Sequence, residues 1–177
     1  MRVIAGKARG IILDSPKGLN TRPTLDKVRE AIFGSLQFEI NGAVCLDLFA
    51  GSGAMGIEAL SRGADKCVFV DNNRDCVNVI KANLSKTRLK GTVRQISFEN
   101  ALNELKDSFD FIFMDPPYAS GYYHKAAELI CSKNLLAKNG KIVAEHDGSL
   151  ESIDGFMAVK TKKYGKAFVT WFVKEKA

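Results

Sequence analysis

The sequence is poor in the residues that build metal centres and disulfide frameworks: 177 residues include four cysteines and two histidines. Cys45, Cys67, Cys76 and Cys131 are scattered without a Cys-x-x-Cys pair. Cys45 and Cys67 fall inside apolar runs, where a thiol behaves as a small hydrophobe, so reduced and structural thiols are expected. His124 and His146 have no third ligand at suitable spacing, and neither a metal site nor a catalytic histidine is expected. The sequence also lacks a long charge-free apolar span and a basic leader joined to an apolar stretch and small-residue cleavage site. It has no internal repeat, low-complexity tail or interdomain linker. The expectation is one medium soluble domain, a cytoplasmic monomer with no membrane partner.

The chain is 46% hydrophobic, enough for a sizeable core, and carries 26 Lys and Arg against 20 acids. That charge is uneven. Residues 1–30 hold seven basic and three acidic side chains, and residues 157–177 hold six and one, so the middle is slightly acidic. Basic ends around an acidic centre suit a polyanion gripped at the periphery while the centre does something else. Solubility alone would use the same charges.

The opening "MRVIAGKARGIILDSPKGLNTRPT" mixes β-branched runs with glycine and proline and reads as a short hairpin arm. In "LDKVREAIFGSL", Val28, Ile32 and Leu36 recur every four residues on one helical face, with Thr24 placed as a cap. From Val44 the pattern changes. Apolar runs "VCLDLFA", "KCVFVD", "FDFIFMD" and "KIVAEH" alternate with segments long enough for helices, the pattern of parallel strands covered on both faces. "GTVRQIS" adds a short strand, "NRDCVNVIKANLSK", "ALNELKD" and "YYHKAAELICSKNLL" add helices, and "FMAVKTKKYGKAFVTWFVKE" reads as a final antiparallel hairpin with Trp171 in its core. The fold class is therefore α/β.

"DLFAGSGAMGIEAL" places Gly51, Gly53 and Gly56 between a strand and a helix, where glycine allows a tight turn, close approach of a ligand, and close helix packing. Asp71 closes the next strand, twenty residues after Gly51, and could accept from the two hydroxyls of a ribose. A dehydrogenase would use that arrangement too. Asp47, four residues before Gly51, argues for another cofactor: a carboxylate suits the amino group and positive centre of a sulfonium amino acid better than a pyrophosphate. Capping the following helix is the structural alternative for Asp47. Asn100, after the third strand, could cap the next helix or hydrogen-bond an adenine edge.

"FIFMDPPYASGY" ends an apolar run on Asp115, Pro116, Pro117 and Tyr118. The prolines remove two N–H donors and stop the strand, leaving carbonyls in fixed directions. With Asp115 the loop offers acceptors for an exocyclic amine, and Tyr118 offers a face for stacking a base. Acceptors on both amine hydrogens localise electron density on a nitrogen whose lone pair is otherwise delocalised, and the Asp115 charge stabilises positive charge developing there. A rigid turn alone would explain the prolines, not the acid and the aromatic together.

With "GKARG", "TRPTLDKVREAIF", "DLFAGSGAMGIEALSRGA", Asp71, "NA" at Asn100 and Ala101, and "DPPY", the chain resembles the bacterial family that methylates the exocyclic N2 of a guanine in 16S ribosomal RNA. The resemblance implies a class I S-adenosylmethionine-dependent methyltransferase. Its fold would be a Rossmann-like, seven-stranded, mostly parallel sheet with an antiparallel C-terminal hairpin, preceded by a basic RNA-contacting arm at 1–22 and spanning 23–177. It implies that Asp47, Phe49, Ala50, Gly51, Ser52, Gly53 and Asn72 contact S-adenosyl-L-methionine, that Asp71 meets its ribose, and that Asn100 and Ala101 meet its adenine. Asp115, Pro116, Pro117 and Tyr118 would surround the target guanine. Arg2, Lys7, Arg9, Arg22 and Arg29 would face small-subunit RNA, within an assembly intermediate. Ile11 and Ala5 depart from the family's arm pattern. Three other readings stand beside this one: a DNA adenine-N6 methyltransferase, a non-catalytic RNA-binding assembly factor and an NAD-linked oxidoreductase. Lys160, Lys162, Lys163 and Lys166 could extend an RNA surface or protect a hairpin edge.

Overall fold

The computed structural model describes residues 1–17, 23–117, 121–150 and 152–175, with no account of the side chains of residues 23–25. Tyr118, Arg22 and the proposed Thr24 cap therefore lie outside what is described. Seven strands form one sheet in the order β3-β2-β1-β4-β5-β7-β6. β1 (Val44–Asp47), β2 (Lys66–Asp71), β3 (Thr92–Gln95), β4 (Phe109–Met114) and β5 (Leu136–His146) pair in parallel. β6 (Phe156–Tyr164) and β7 (Ala167–Lys174) form the antiparallel hairpin, and β7 runs against β5.

The apolar runs are fully buried because helices cover both faces, as in other parallel sheets. On one face, α1 (Pro23–Ser35), α2 (Ala54–Ser61) and α3 (Arg74–Thr87) bury Ile32, Phe33, Ile57 and Ile80 with Cys45, Phe69, Phe113 and Trp171. On the other, α4 (Phe98–Glu104) and α5 (Tyr122–Ser132) bury Leu102, Ala126 and Ile130 with Leu46, Val68 and Ile112. All four cysteines are free thiols. Among the described residues no helix is long and apolar enough to cross a membrane, and no cluster could hold a metal ion.

Two boundaries differ from the sequence expectation. β5 begins at Leu136, five residues before "KIVAEH", where Leu136 pairs with Phe109 ahead of a register shift. α4 begins at Phe98 with the Ser97 side chain accepting from Asn100 N at 3.3 Å, so Ser97 caps it and Asn100 does not.

The N-terminal residues double back through an Arg2–Ile12 bridge, with Val3 N donating to Ile11 O at 3.0 Å and Gly10 N to Val3 O at 2.8 Å. Val3, Ala8 and Leu13 join the same core as α1 and α2. Glu58, fully buried on α2, holds this arm: its carboxylate accepts from Ile4 N (2.8 Å), Ala5 N (3.1 Å) and Arg62 Nε (2.7 Å).

Candidate active site

Strand order reverses between β1 and β4, and a crevice opens beyond the carboxyl ends of strands at such a point. Asp47 ends β1, and Asp115 follows the last residue of β4. Between β1 and α2 the chain turns through Gly51 (φ 55°) and Gly53 (φ 78°), a left-handed conformation that favours glycine. Gly53 gives α2 no side-chain cap; Asp47 Oδ2 substitutes, accepting from Gly56 N at 2.9 Å. The capping alternative raised for Asp47 is thus realised. Asp71 Oδ2 accepts from Gly51 N at 2.9 Å and its Oδ1 from Asn73 N at 2.8 Å, so the two strand-end acids brace the turn from both sides.

Two cavities flank this turn. The larger, about 590 Å³, is lined by Leu48, Val70, Asp71, Asn72, Ile96, Ser97 and Pro116, among others. The smaller, about 210 Å³, is lined by Met1, Arg29, Asp47, Ala50, Ser52 and Met55, among others. Phe49, Gly51, Asp115 and Glu145 border both. Phe49, Phe98 and Tyr122 form an aromatic wall on the larger cavity, with Phe49 and Tyr122 stacked at 6.1 Å and Phe98 tilted 4.9 Å from Tyr122.

The cleft gathers negative charge. Burial pushes the Asp47 carboxyl up to about 7, against the lowering influence of the Gly56 N–H, and Asp71 adds to the rise. Asp115 is open to solvent along the cleft while protein crowds its other sides. That crowding raises its pKa, with further rises from Glu145 and then Asp47. Burial likewise raises the Glu145 carboxyl. Such a site favours a cation or a set of N–H donors.

The structure gathers Asp47, Phe49, Ala50, Gly51, Ser52, Asp71, Asn72, Asp115, Pro116 and Pro117 around the cavities. Gly53 lies beneath them as the residue that starts α2. Asn100 and Ala101 do not line either cavity: because α4 starts early, Ile96, Ser97, Phe98 and Glu99 face the larger one, Asn100 is exposed and Ala101 is buried in the core.

Arg29 is not RNA-facing. It is 3% exposed, pairs with Asp26 at 3.0 Å and lies 3.7 Å from Glu58, and its Nη2 donates to the Arg2 carbonyl. Arg2, Lys7 and Arg9 are exposed. Lys7 N donates to Ser61 O at the far end of the eight-residue α2. The arm's turn, with Lys7 and Arg9, therefore sits roughly 12 Å along that helix from the cleft. The β6–β7 turn instead lies at the cleft end, since Phe168 pairs with His146 at the end of β5. There Lys160 sits over Trp171 (4.7 Å) and Lys163 over Phe168 (5.3 Å).

Sequence reasoning gave Glu145 no catalytic or binding role. Its backbone carbonyl does accept from the Tyr123 hydroxyl, but its side chain lines both cavities. The signal was its place near the end of β5, the strand that pairs with the one Asp115 follows. Phe98 carried no signal beyond apolar character.

The family model described as "Conserved hypothetical protein 95" matches residues 1–173. The chain is 38% identical to "Putative rRNA methyltransferase YlbH" of Bacillus subtilis (strain 168), covering 98% of this chain and 99% of that protein. It is 34% identical to "Ribosomal RNA small subunit methyltransferase D" of Haemophilus influenzae, covering 93% and 89%. It also superposes on a solved structure titled "Putative methyltransferase yhhF from Escherichia coli" with a TM-score of 0.88 and 30% identity, over 100% and 99% of the two chains.

Proposed function

The chain belongs to the conserved hypothetical protein 95 family, that of ribosomal RNA small subunit methyltransferase D, and we propose that it methylates the exocyclic N2 of a guanine in small-subunit ribosomal RNA, using S-adenosyl-L-methionine. The observation that carries this reading is the cleft at the β1/β4 reversal, where the glycine turn and Asp115–Pro116–Pro117 share one site.

The donor set fits the cofactor. Asp47 offers a carboxylate to its positive centres, and Arg29 in the same cavity offers a guanidinium to its carboxylate. Arg29 Nε is buried with no hydrogen-bond partner among the described residues. Asp71 and Asn72 border the larger cavity, where an acceptor suits ribose hydroxyls, and the aromatic wall supplies apolar surface for a nucleobase. The cofactor supplies an electrophilic methyl group on a sulfonium centre.

The chain's own residues hold and orient the acceptor. Asp115 and the Pro116 carbonyl accept the two amine hydrogens, keeping electron density on nitrogen, and the ionised Asp115 stabilises the positive charge developing there. On transfer the S–C bond would break with its electron pair left on sulfur as a neutral thioether, the N–C bond would form, and the nitrogen would release one proton to solvent. Placing the amine in line with the methyl supplies the other large contribution. Tyr118 stacks on the base, which must be unpaired or extruded to enter. RNA phosphates meet the lysines of the β6–β7 tip at the cleft rim, and the more distant Lys7 and Arg9 meet RNA that runs down the arm. The protein acts as a cytoplasmic monomer on an assembly intermediate of the small subunit.

The test is transfer of labelled methyl from S-adenosylmethionine to unmodified small-subunit RNA, naked and in partially assembled particles, followed by nucleoside analysis. N2-methylguanosine that disappears with Asp115→Ala supports the proposal. Methylated adenine in DNA with no label in any RNA form replaces it.

A further inference from the structure

β4 and β5 run in register from Phe111–Lys141 to Met114–Ala144, so the next position on each strand brings Asp115 and Glu145 to the same level. Phe113 and Val143, two residues earlier, pack in the same core. Side chains alternate along a strand, so Asp115 and Glu145 share that face, with backbones about 4.8 Å apart. Both border both cavities. The Tyr123 hydroxyl, donating to the Glu145 carbonyl, fixes the backbone there. The reaction as described uses Asp115 and the Pro116 carbonyl on the amine and leaves the adjacent carboxylate without a task.

Guanine presents its N2 amine beside N1–H, a continuous row of donors. Adenine presents its amine beside the N1 lone pair. A second carboxylate next to the one holding the amine meets a donor in the first case and a lone pair in the second, so it discriminates between bases whose reacting group is the same. We propose that Glu145 reads the N1–H of the target guanine and sets the enzyme's preference for guanine over other amine-bearing bases. This rests on the guanine-N2 reading of the preceding subsection and assigns its specificity to a named side chain. The raised titration of the pair fits a site completed by N–H donors from a ligand.

The probe is 2-aminopurine, which keeps the N2 amine and has no hydrogen on N1. Once label transfer has located the target nucleotide, small-subunit RNA is prepared with guanosine or 2-aminopurine riboside at that position. kcat/KM is then measured for the wild type and for Glu145→Gln. The wild type is expected to prefer guanosine by about 10- to 100-fold, the range for one well-placed base contact. In Glu145→Gln the guanosine rate falls, the 2-aminopurine rate falls less, and the preference collapses, because an amide can turn its NH2 to the N1 lone pair. Equal wild-type rates on the two bases, or an unchanged ratio in the variant, would overturn the assignment. Equal wild-type rates overturn the assignment even where the variant fails to fold, and the collapse of the ratio in a folded Glu145→Gln separates the N1 contact from the loss of O6 that 2-aminopurine also carries. Absence of methylated guanosine from any wild-type reaction is a separate outcome that removes the guanine-N2 reading itself.

Discussion

Asp47→Asn should make the protein more stable at pH 8 while weakening its hold on the cofactor. The Asp47 side chain is 4% exposed, its Oδ2 caps Gly56 N, and burial raises its pKa from 3.8 to about 7. The folded chain therefore holds a proton on this group that the unfolded chain has lost above pH 4. The stability linked to that proton is fully present below the unfolded value and declines as pH rises to about 7. Each pH unit in that window is worth about 1.4 kcal/mol, so the wild type should lose about 3 kcal/mol through Asp47 between pH 5 and pH 8. For a chain of this size that corresponds to a melting temperature roughly 6–12 °C lower. Asparagine keeps the carbonyl oxygen that caps Gly56 and carries no charge. Thermal unfolding without cofactor, from pH 4 to pH 8, should show the two proteins close together at pH 4 and diverging above it, with the variant higher. Calorimetric titration with S-adenosylmethionine at pH 8 should show the variant binding more weakly, since the carboxylate proposed to face the sulfonium and amino groups is gone. A variant less stable than the wild type at pH 8, or a difference that does not change with pH, would refute the argument.

Glu58→Ala should cost about 3–5 kcal/mol in urea unfolding, because buried Arg29 keeps only the Asp26 carboxylate and two arm amides lose their acceptor. Hydrogen exchange at Ile4 and Ala5 should accelerate in the same variant, and unchanged protection there would show that Glu58 does not hold the arm. Gly56→Ala places a Cβ 2.3 Å from Phe69 Cε1 and 2.6 Å from Cys67 Sγ, an overpacking expected to cost about 1–3 kcal/mol by the same unfolding measurement. Replacing Lys160, Lys162 and Lys163 with Gln should weaken RNA binding and flatten the dependence of log K on log salt by about 2–3, read by filter binding across salt concentrations. An unchanged slope would leave those lysines to the protection of the β6 edge.

The residues that position the cleft were legible because their constraints are local. A left-handed turn needs glycine at Gly51 and Gly53, and two prolines end a strand wherever the strand packs. Arg29 was misplaced although its surroundings were written in the sequence. It falls on the stripe of Val28, Ile32, Phe33 and Leu36, so its position alone implied burial and a partner. One partner, Asp26, stands three residues earlier on the same helix, but the other, Glu58, lies on another helix among Ile57, Ala59 and Leu60, where no rule of spacing reaches it. Asn100 was misjudged for a subtler reason: Ser97 and Asn100 are both good caps one turn apart, and packing of Phe98 in the core favoured the earlier start. Likewise Lys138 and Asn139 hid the beginning of β5, which is exposed there and pairs across an irregular register.

Glu145 shows why site chemistry is the hardest part to read from one sequence. Asp115 announces itself because prolines follow it, whereas Glu145 sits near the end of an ordinary strand and gains its meaning from the parallel register that sets it beside Asp115. With Asp47 at the end of β1, three neighbouring strand ends in the spatial order β1-β4-β5 deliver a carboxylate to one cleft. Mutual repulsion and burial make that arrangement unfavourable for the protein alone, as the raised pKa values of Asp47 and Asp115 express. In the proposed reaction that cost is offset by a ligand set that brings positive charge to Asp47 and N–H donors to Asp115 and Glu145. A sulfonium amino acid beside a guanine edge brings both, and an adenine edge leaves one carboxylate facing a lone pair.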